Sequence, residues 1–225
     1  MNVSRQTQRG ARGSRRSRHW KIAVAALVAV IAIWALWPAA KVTNLASRGS
    51  NIIAFGDSLT AGYGASPGED YPSRLSSILG LTILNAGKSG DTTETALARI
   101  DSDVLARDPR IVLLGLGGND FLQSVAIATT EANLRTIIHK IQTAGAMVVL
   151  LGYRFPSLNA NYEKMYERVA KEEGCLLIPN LLHGIETDAS LKSDEIHPNA
   201  RGYQLIAERV AGPIRKLIRR ADGAR

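Results

Sequence analysis

The chain alternates between short apolar runs and longer stretches in which apolar residues recur at helical spacing. The apolar runs predict five strands, near residues 51–55, 81–85, 110–116, 146–152 and 175–178. The amphipathic stretches predict helices near residues 70–79, 93–106, 125–144, 160–173 and 199–221, the last open to a break at Pro213. Because such strands are buried on both faces, the pattern predicts an α/β fold, a three-layer α/β/α sandwich around a five-stranded parallel sheet. In the flavodoxin-like strand order 2-1-3-4-5, a ligand crevice lies beyond the carboxyl ends of strands 1 and 3.

The amino-terminal residues follow a different pattern. Residues 1–21 contain seven Lys or Arg and no acidic residue, and residues 22–37 are sixteen uninterrupted apolar residues, extended by three more up to residue 40. At about 1.5 Å per residue, a helix over 22–40 would reach about 28 Å, close to the roughly 30 Å hydrocarbon core of a bilayer. The sequence therefore predicts a basic cytoplasmic tail at 1–21, a transmembrane anchor at 22–40, a polar linker at 41–50 and one domain at 51–225.

The distribution of basic residues predicts how the anchor is oriented. Only Lys41 and Arg48 follow the apolar stretch closely, so the positive-inside rule keeps the amino terminus in the cytoplasm. The domain would then face the periplasm, as part of a single-pass protein of a bacterial inner membrane. The alternative is export followed by removal of a signal peptide. The stretch is longer than a typical signal-peptide core and no clear A-x-A site follows it, which favours the anchor.

The net charge excludes one function class. The formal charge of +8 arises from the amino-terminal segment, since residues 51–225 hold 19 basic and 20 acidic side chains, a net charge of −1. The domain therefore gives no support for nucleic-acid binding. The single cysteine, Cys175, has no intrachain partner for a disulfide. The sequence has no Cys/His cluster, HExxH motif or Gly-rich nucleotide cradle, so no metal or other cofactor is implied.

Three short motifs contain candidate catalytic residues: GDSLTAGYG at 56–64, GGND at 117–120 and DEIHPN at 194–199. Ser58 directly follows the first predicted strand and lies among glycines, which allow a tight turn and close approach of a substrate. A serine hydroxyl is a weak nucleophile until a base takes its proton, and that base needs a partner that orients its ring. His197 and Asp194 meet both needs, because they lie in one short segment ahead of the last helix.

Other polar residues have simpler interpretations. Asp57 and Asp120 are expected to hydrogen-bond local backbone amides rather than to act as catalytic acids. His183 is the rival base, but it lacks a carboxylate at short spacing and a following proline. His139 lies in a helical pattern and is expected at the surface or an interface. The motifs therefore favour His197 as the base.

With these motifs in order, the sequence resembles the GDSL or SGNH hydrolases, and within them the bacterial thioesterase, lysophospholipase and arylesterase group. The likeness covers about residues 51–221 and includes a fourth motif, NAGKSGDTT at 85–93. The chain departs from the family pattern at Lys88, where an apolar residue is more usual. It also carries extra residues within 154–162. These departures concern the substrate rather than the chemistry.

The resemblance implies a role for each motif. It makes Ser58 the nucleophile, with His197 and Asp194 completing a catalytic triad. The backbone amides of Ser58 and Gly90 and the side chain of Asn119 would form an oxyanion hole. The strand order independently predicts one crevice for three of these residues, because Ser58, Gly90 and Asn119 follow strands 1, 2 and 3.

The resulting hypothesis is a serine esterase for acyl esters or thioesters, of the lysophospholipase or arylesterase type. Anchoring at a membrane would suit lipid-derived substrates. One alternative is an O-deacetylase of envelope polysaccharide that uses the same triad. A more remote alternative is a catalytically inactive envelope binding protein.

Overall fold

The computed structural model describes residues 41–154 and 160–225, which form a parallel sheet covered by helices. The strands are β1 (Asn51–Gly56), β2 (Ile83–Gly87), β3 (Pro109–Gly115), β4 (Met147–Leu151) and β5 (Leu176–Ile178). They pair in the order β2-β1-β3-β4-β5, and every neighbouring pair is parallel. The predicted fold class and strand order are confirmed.

The helices of the described residues lie on both faces of the sheet. They are α1 (Ser58–Ala61), α2 (Tyr71–Leu79), α3 (Thr93–Leu97), α4 (Ile100–Asp103), α5 (Gly118–Leu122), α6 (Ile127–Thr143), α7 (Ala160–Glu172) and α8 (Ala200–Asp222). Helix α2 packs against α8, while α6 packs against α3 and α7. Strands β3 and β4 lie between these layers, and their apolar residues from Ile111 to Leu114 and from Met147 to Leu151 are fully buried. Burial on both faces explains why these strands are apolar throughout.

Two predicted helices differ in detail from the structure. The stretch 93–106 is divided into α3, α4 and a 3-10 turn at Leu105–Arg107. The first break falls at Ala98 and Arg99, where the Arg99 side chain reaches inward to backbone carbonyls at the ends of the strands. Helix α8 continues through Pro213 without a break. A proline removes a single backbone donor, and buried residues on either side of it hold the helix against the core.

The stretch predicted to be a linker, 41–50, packs against the domain. Val42 is buried in the core. The Thr43 amide donates to the Gly174 carbonyl at 2.9 Å, and Asn44 Nδ2 donates to the Gln142 carbonyl at 2.7 Å. The folded unit therefore includes residues before the expected start at 51.

The membrane prediction concerns residues that the structure does not describe. Over 41–154 and 160–225, no helix is both long and apolar enough to cross a bilayer. The predicted basic tail, 1–21, and anchor, 22–40, lie outside the described residues. Both therefore stay predictions from the sequence.

Candidate active site

Ser58 is the first residue of α1, two positions after β1 ends at Gly56. A Cβ atom at Gly56 would lie 2.3 Å from Thr60 Oγ1, so no side chain fits at this position. Asp57 starts the helix, because its Oδ1 accepts a hydrogen bond from the Leu59 amide at 3.0 Å. This tight strand-to-helix turn places the Ser58 hydroxyl at the carboxyl end of the sheet, where the sequence predicted it.

His197 reaches Ser58 from the loop ahead of α8. Its Nε2 lies 3.0 Å from Ser58 Oγ, and its Nδ1 lies 2.8 Å from Asp194 Oδ2. Because a carboxylate can only accept hydrogen bonds, Nδ1 carries the proton in this contact. Nε2 of the neutral ring is then free to accept the Ser58 proton. The three residues form one continuous hydrogen-bonded chain from carboxylate to hydroxyl.

The carboxylate of Asp194 is held by its own short loop. Oδ1 accepts hydrogen bonds from the amides of His197 at 2.7 Å and Ile196 at 2.8 Å. These interactions, with the His197 amide contributing most, lower the pKa of Asp194 to about 2. Asp194 is therefore ionised at neutral pH, the form that orients the imidazole.

Asn199 anchors the end of this loop. Its Oδ1 accepts from the amides of Arg201 and Gly202 at 3.0 and 3.2 Å and caps α8. Its Nδ2 donates to the carbonyls of Ser190 and Lys192 at 2.9 and 3.2 Å. Sequence reasoning missed this residue, although an asparagine just before an amphipathic stretch is a common helix-start signal.

Gly90 and Asn119 lie at the carboxyl ends of the strands that flank β1. The last residues of β1, β2 and β3 are paired side by side, which brings the three following loops to one edge of the sheet. Gly90 has a φ of 85°, and a Cβ atom there would meet nothing within 4 Å. Asn119 Nδ2 donates to the Asp91 carbonyl at 2.9 Å. The Asn119 amide is thus tied to the residue that follows Gly90.

The two buried aspartates beside these motifs make different contacts. Asp57 bonds locally, as expected, to the Leu59 amide. Burial, more than any other factor, raises the pKa of Asp57 to about 7. Asp120 instead accepts hydrogen bonds from the amide and hydroxyl of Thr93 on α3, at 2.9 and 2.5 Å. Asp120 therefore connects the loops after β2 and β3.

Two further residues near the site were not identified from the sequence. The Tyr63 ring lies against the His197 ring, with 4.5 Å between their centroids. The Arg99 side chain is only 13% exposed and forms an ion pair with Asp91. A usable signal existed for Arg99, because it follows Leu97 and Ala98 and precedes Ile100. A charge surrounded by apolar residues indicates a buried side chain with a partner.

The rival histidine, His183, belongs to a different part of the domain. It lines a cavity of about 530 Å³ together with Arg154, Glu163 and Arg209. Among the described residues that line this cavity, none belongs to the Ser58 site. We place the candidate chemistry at Ser58 because a nucleophile, a base and a carboxylate are in direct contact there.

Comparisons with known proteins identify related families and folds. The model of the GDSL-like lipase/acylhydrolase family matches residues 54–205. Thioesterase 1/protease 1/lysophospholipase L1 of Escherichia coli strain K12 is 31% identical over 185 residues, which cover 79% of this chain and 89% of that protein. The arylesterase of Vibrio mimicus is 33% identical over 178 residues, 74% of this chain and 89% of that protein. A crystal structure of TesA matches with a TM-score of 0.70 and 29% identity, covering 75% of this chain and 99% of that one.

Proposed function

Since the chain belongs to the GDSL-like lipase/acylhydrolase family, whose members act on ester bonds, we propose that it hydrolyses acyl esters or thioesters through a Ser-His-Asp triad. The observation that carries this proposal is the hydrogen-bonded chain from Asp194 through His197 to Ser58. Its order and distances are those required for a base that deprotonates a serine hydroxyl.

The proposed reaction begins when His197 Nε2 takes the proton of Ser58 as Oγ attacks the acyl carbon. The carbonyl oxygen becomes negatively charged in the tetrahedral intermediate. The imidazolium then gives its proton to the leaving alcohol or thiol, and an acyl-serine remains. Water, deprotonated by the same imidazole, releases the acid and restores the enzyme. Asp194, ionised and held by backbone amides, stabilises the imidazolium in both halves of the reaction.

The proposed oxyanion hole consists of the backbone amides of Ser58 and Gly90 with the side-chain amide of Asn119. An asparagine amide carries two N–H bonds in one plane. Because one of them is bound to the Asp91 carbonyl, the rotation of the Asn119 amide is restricted and the other N–H keeps a defined direction. Donors that are oriented before the reaction stabilise the developing charge without a reorganisation penalty.

The proposed location rests on the sequence alone. The apolar stretch 22–40, preceded by seven basic residues, would anchor the enzyme in the inner membrane with its domain in the periplasm. Esters derived from lipids would be accessible to an enzyme anchored there. Cell fractionation with a carboxyl-terminal tag, followed by protease treatment of spheroplasts, tests this. A tagged domain that sediments with membranes and is cleaved in spheroplasts agrees with the proposal, whereas a domain protected from protease contradicts it.

The proposed chemistry is tested with a substrate panel and an active-site probe. The panel contains nitrophenyl esters from acetyl to palmitoyl, a lysophospholipid, an acyl thioester and an acetylated glycan. We expect wild-type protein to hydrolyse acyl esters and to be labelled by a fluorophosphonate, and Ser58→Ala to lose both properties. Activity above about a tenth of wild type in folded Ser58→Ala would overturn the triad, since its members act as a unit. Hydrolysis of the acetylated glycan alone would support a deacetylase, and absence of labelling would support an inactive binding protein.

A further inference from the structure

We propose that Arg99 is a positioning residue for the oxyanion hole, acting through Asp91. This inference rests on the proposed function, because it assigns Gly90 and Asn119 the roles given above. Arg99 binds the Asp91 carboxylate and two backbone carbonyls at the strand ends beside the site. Its contribution would be to keep two oxyanion donors in one arrangement.

The guanidinium of Arg99 connects three segments that meet at the site. Its Nε donates to Asp91 Oδ2 at 2.5 Å, its Nη1 to the Ala86 carbonyl at 3.0 Å and its Nη2 to the Gly56 carbonyl at 3.1 Å. The planar group also lies over the Phe55 ring, 4.4 Å from its centroid. One side chain therefore binds the end of β1, the end of β2 and the loop that follows β2.

Two of these partners lie close in sequence to residues of the proposed site. Gly56 is the last residue of β1 and is separated from Ser58 by Asp57 alone. Asp91 directly follows Gly90. The guanidinium has five N–H donors in a rigid planar arrangement, which can satisfy acceptors in different directions at once. A lysine ammonium is a single point donor and cannot replace these bonds together.

Asp91 links Arg99 to both proposed oxyanion donors, because it contacts the turn that contains Gly90 and the side chain of Asn119. Its amide donates to the Lys88 carbonyl at 3.2 Å and closes the turn that contains Gly90. Its carbonyl accepts from Asn119 Nδ2 at 2.9 Å. Its carboxylate is 3% exposed and also accepts from Thr95 Oγ1 at 3.1 Å. Without the arginine, a buried carboxylate would lose its countercharge, which is costly unless the carboxylate moves.

A purely structural role for Arg99 predicts a different result, and the chain offers a matched control. Arg135 on α6 is also partly buried, at 28% exposure, and also forms several ion pairs, with Glu131, Glu172 and Glu173. None of these partners belongs to the proposed site. If Arg99 only stabilises the fold, its replacement and that of Arg135 should affect the melting temperature but not the turnover of folded enzyme.

The experiment compares Arg99→Met, Arg99→Lys and Arg135→Met in the full-length protein with a nitrophenyl ester. We expect Arg99→Met to lower kcat by about tenfold or more with a smaller change in KM, because misplaced oxyanion donors act on the transition state. Arg99→Lys should lower kcat to a lesser extent, and it remains the test variant if Arg99→Met does not fold. Arg135→Met should keep kcat within about twofold of wild type even if its melting temperature falls. Equal kcat in the Arg99 and Arg135 variants would overturn the inference.

A double-mutant cycle with Asn119→Ala tests the route of the effect. If Arg99 acts through the oxyanion donors, Arg99→Met should reduce kcat at least about threefold less in the Asn119→Ala background than in wild type. The same fold-reduction in both backgrounds would overturn the inference. Failure of the proposed function has a separate signature, because Asn119→Ala and Ser58→Ala alone would then leave ester hydrolysis unchanged.

Discussion

The Tyr63 ring lies beside the His197 imidazole, with centroids 4.5 Å apart and ring planes inclined at 52°. The Tyr63 backbone is held in place, since its carbonyl accepts a hydrogen bond from Tyr203 Oη at 2.7 Å. Tyr63 as a whole is 55% exposed, so it is not a core residue. An aromatic face beside an imidazole attracts the cationic form of that ring, the form that His197 would take during the proposed reaction.

The first prediction follows from this contact. Tyr63→Leu should lower kcat by roughly two- to fivefold, the factor that corresponds to a cation–π interaction at an exposed site. Tyr63→Phe is the matched control, because it keeps the ring and removes only the hydroxyl. Steady-state kinetics on one nitrophenyl ester would measure both. Equal kcat values for the Leu and Phe variants would show that the ring does not act on the imidazolium.

A second prediction concerns Asn119, whose side-chain amide should matter only as charge develops on the carbonyl oxygen. Asn119→Ala should lower kcat by roughly 10² to 10³ with a smaller change in KM, as expected for loss of one oxyanion donor. Melting temperatures would show whether the variant is folded. An effect confined to KM would mean that Asn119 binds the substrate rather than the transition state.

A third prediction concerns the pH dependence of stability, through Asp57. The pKa of this buried carboxyl is raised to about 7 from an ordinary value of 3.8. The folded protein therefore holds the proton more tightly than the unfolded chain. The resulting stabilisation is complete below pH 3.8 and is lost as the pH rises toward 7.

Asp57→Asn removes this titration while keeping an oxygen that can accept from the Leu59 amide. Relative to wild type, the free energy of unfolding of the variant should rise by roughly 1 kcal/mol per pH unit between pH 4 and 7. Urea unfolding of both proteins at several pH values measures this difference. A difference that stays constant from pH 4 to 7 would show that Asp57 ionises at its ordinary pKa.

A fourth prediction tests Lys88, the departure from the family pattern in the loop before Gly90. Its side chain is exposed, and its amide donates to the Gly56 carbonyl at 2.9 Å. A cation at this position should favour substrates with a negative charge near the scissile ester by about 1 kcal/mol, several-fold in rate. Lys88→Val should therefore slow hydrolysis of a nitrophenyl hemisuccinate but not of the neutral butyrate ester.

The salt dependence separates this effect from a general loss of activity. The preference of wild-type enzyme for the anionic ester should weaken as the salt concentration increases. Lys216→Val, which removes another exposed lysine on α8, is the control for a change in net charge. Equal effects of Lys88→Val on both esters at low and moderate salt would leave Lys88 without an electrostatic role.

The features that the sequence determined are local ones. The five strands were predicted to within about two residues of their ends, because a strand buried on both faces is an unbroken apolar run. Asp194 and His197 are three residues apart, so one turn accounts for their contact. Ser58, Gly90 and Asn119 each follow a strand, and the carboxyl ends of parallel strands share one edge of the sheet. Periodicity and short spacing were sufficient for all of these.

Only the tertiary structure decided which side chains from distant segments meet. Tyr63 contacts His197, Arg99 joins Gly56 to Asp91, and Val42 enters the core from a stretch that is polar overall. The division of the predicted helix 93–106 belongs with these contacts, because the chain turns at Arg99 as its side chain reaches inward. Local propensity encodes the conformation of a segment and the face that it buries. Contacts between segments depend instead on the pairing of the strands and on the packing of the helices against them, and no short stretch of sequence contains that information.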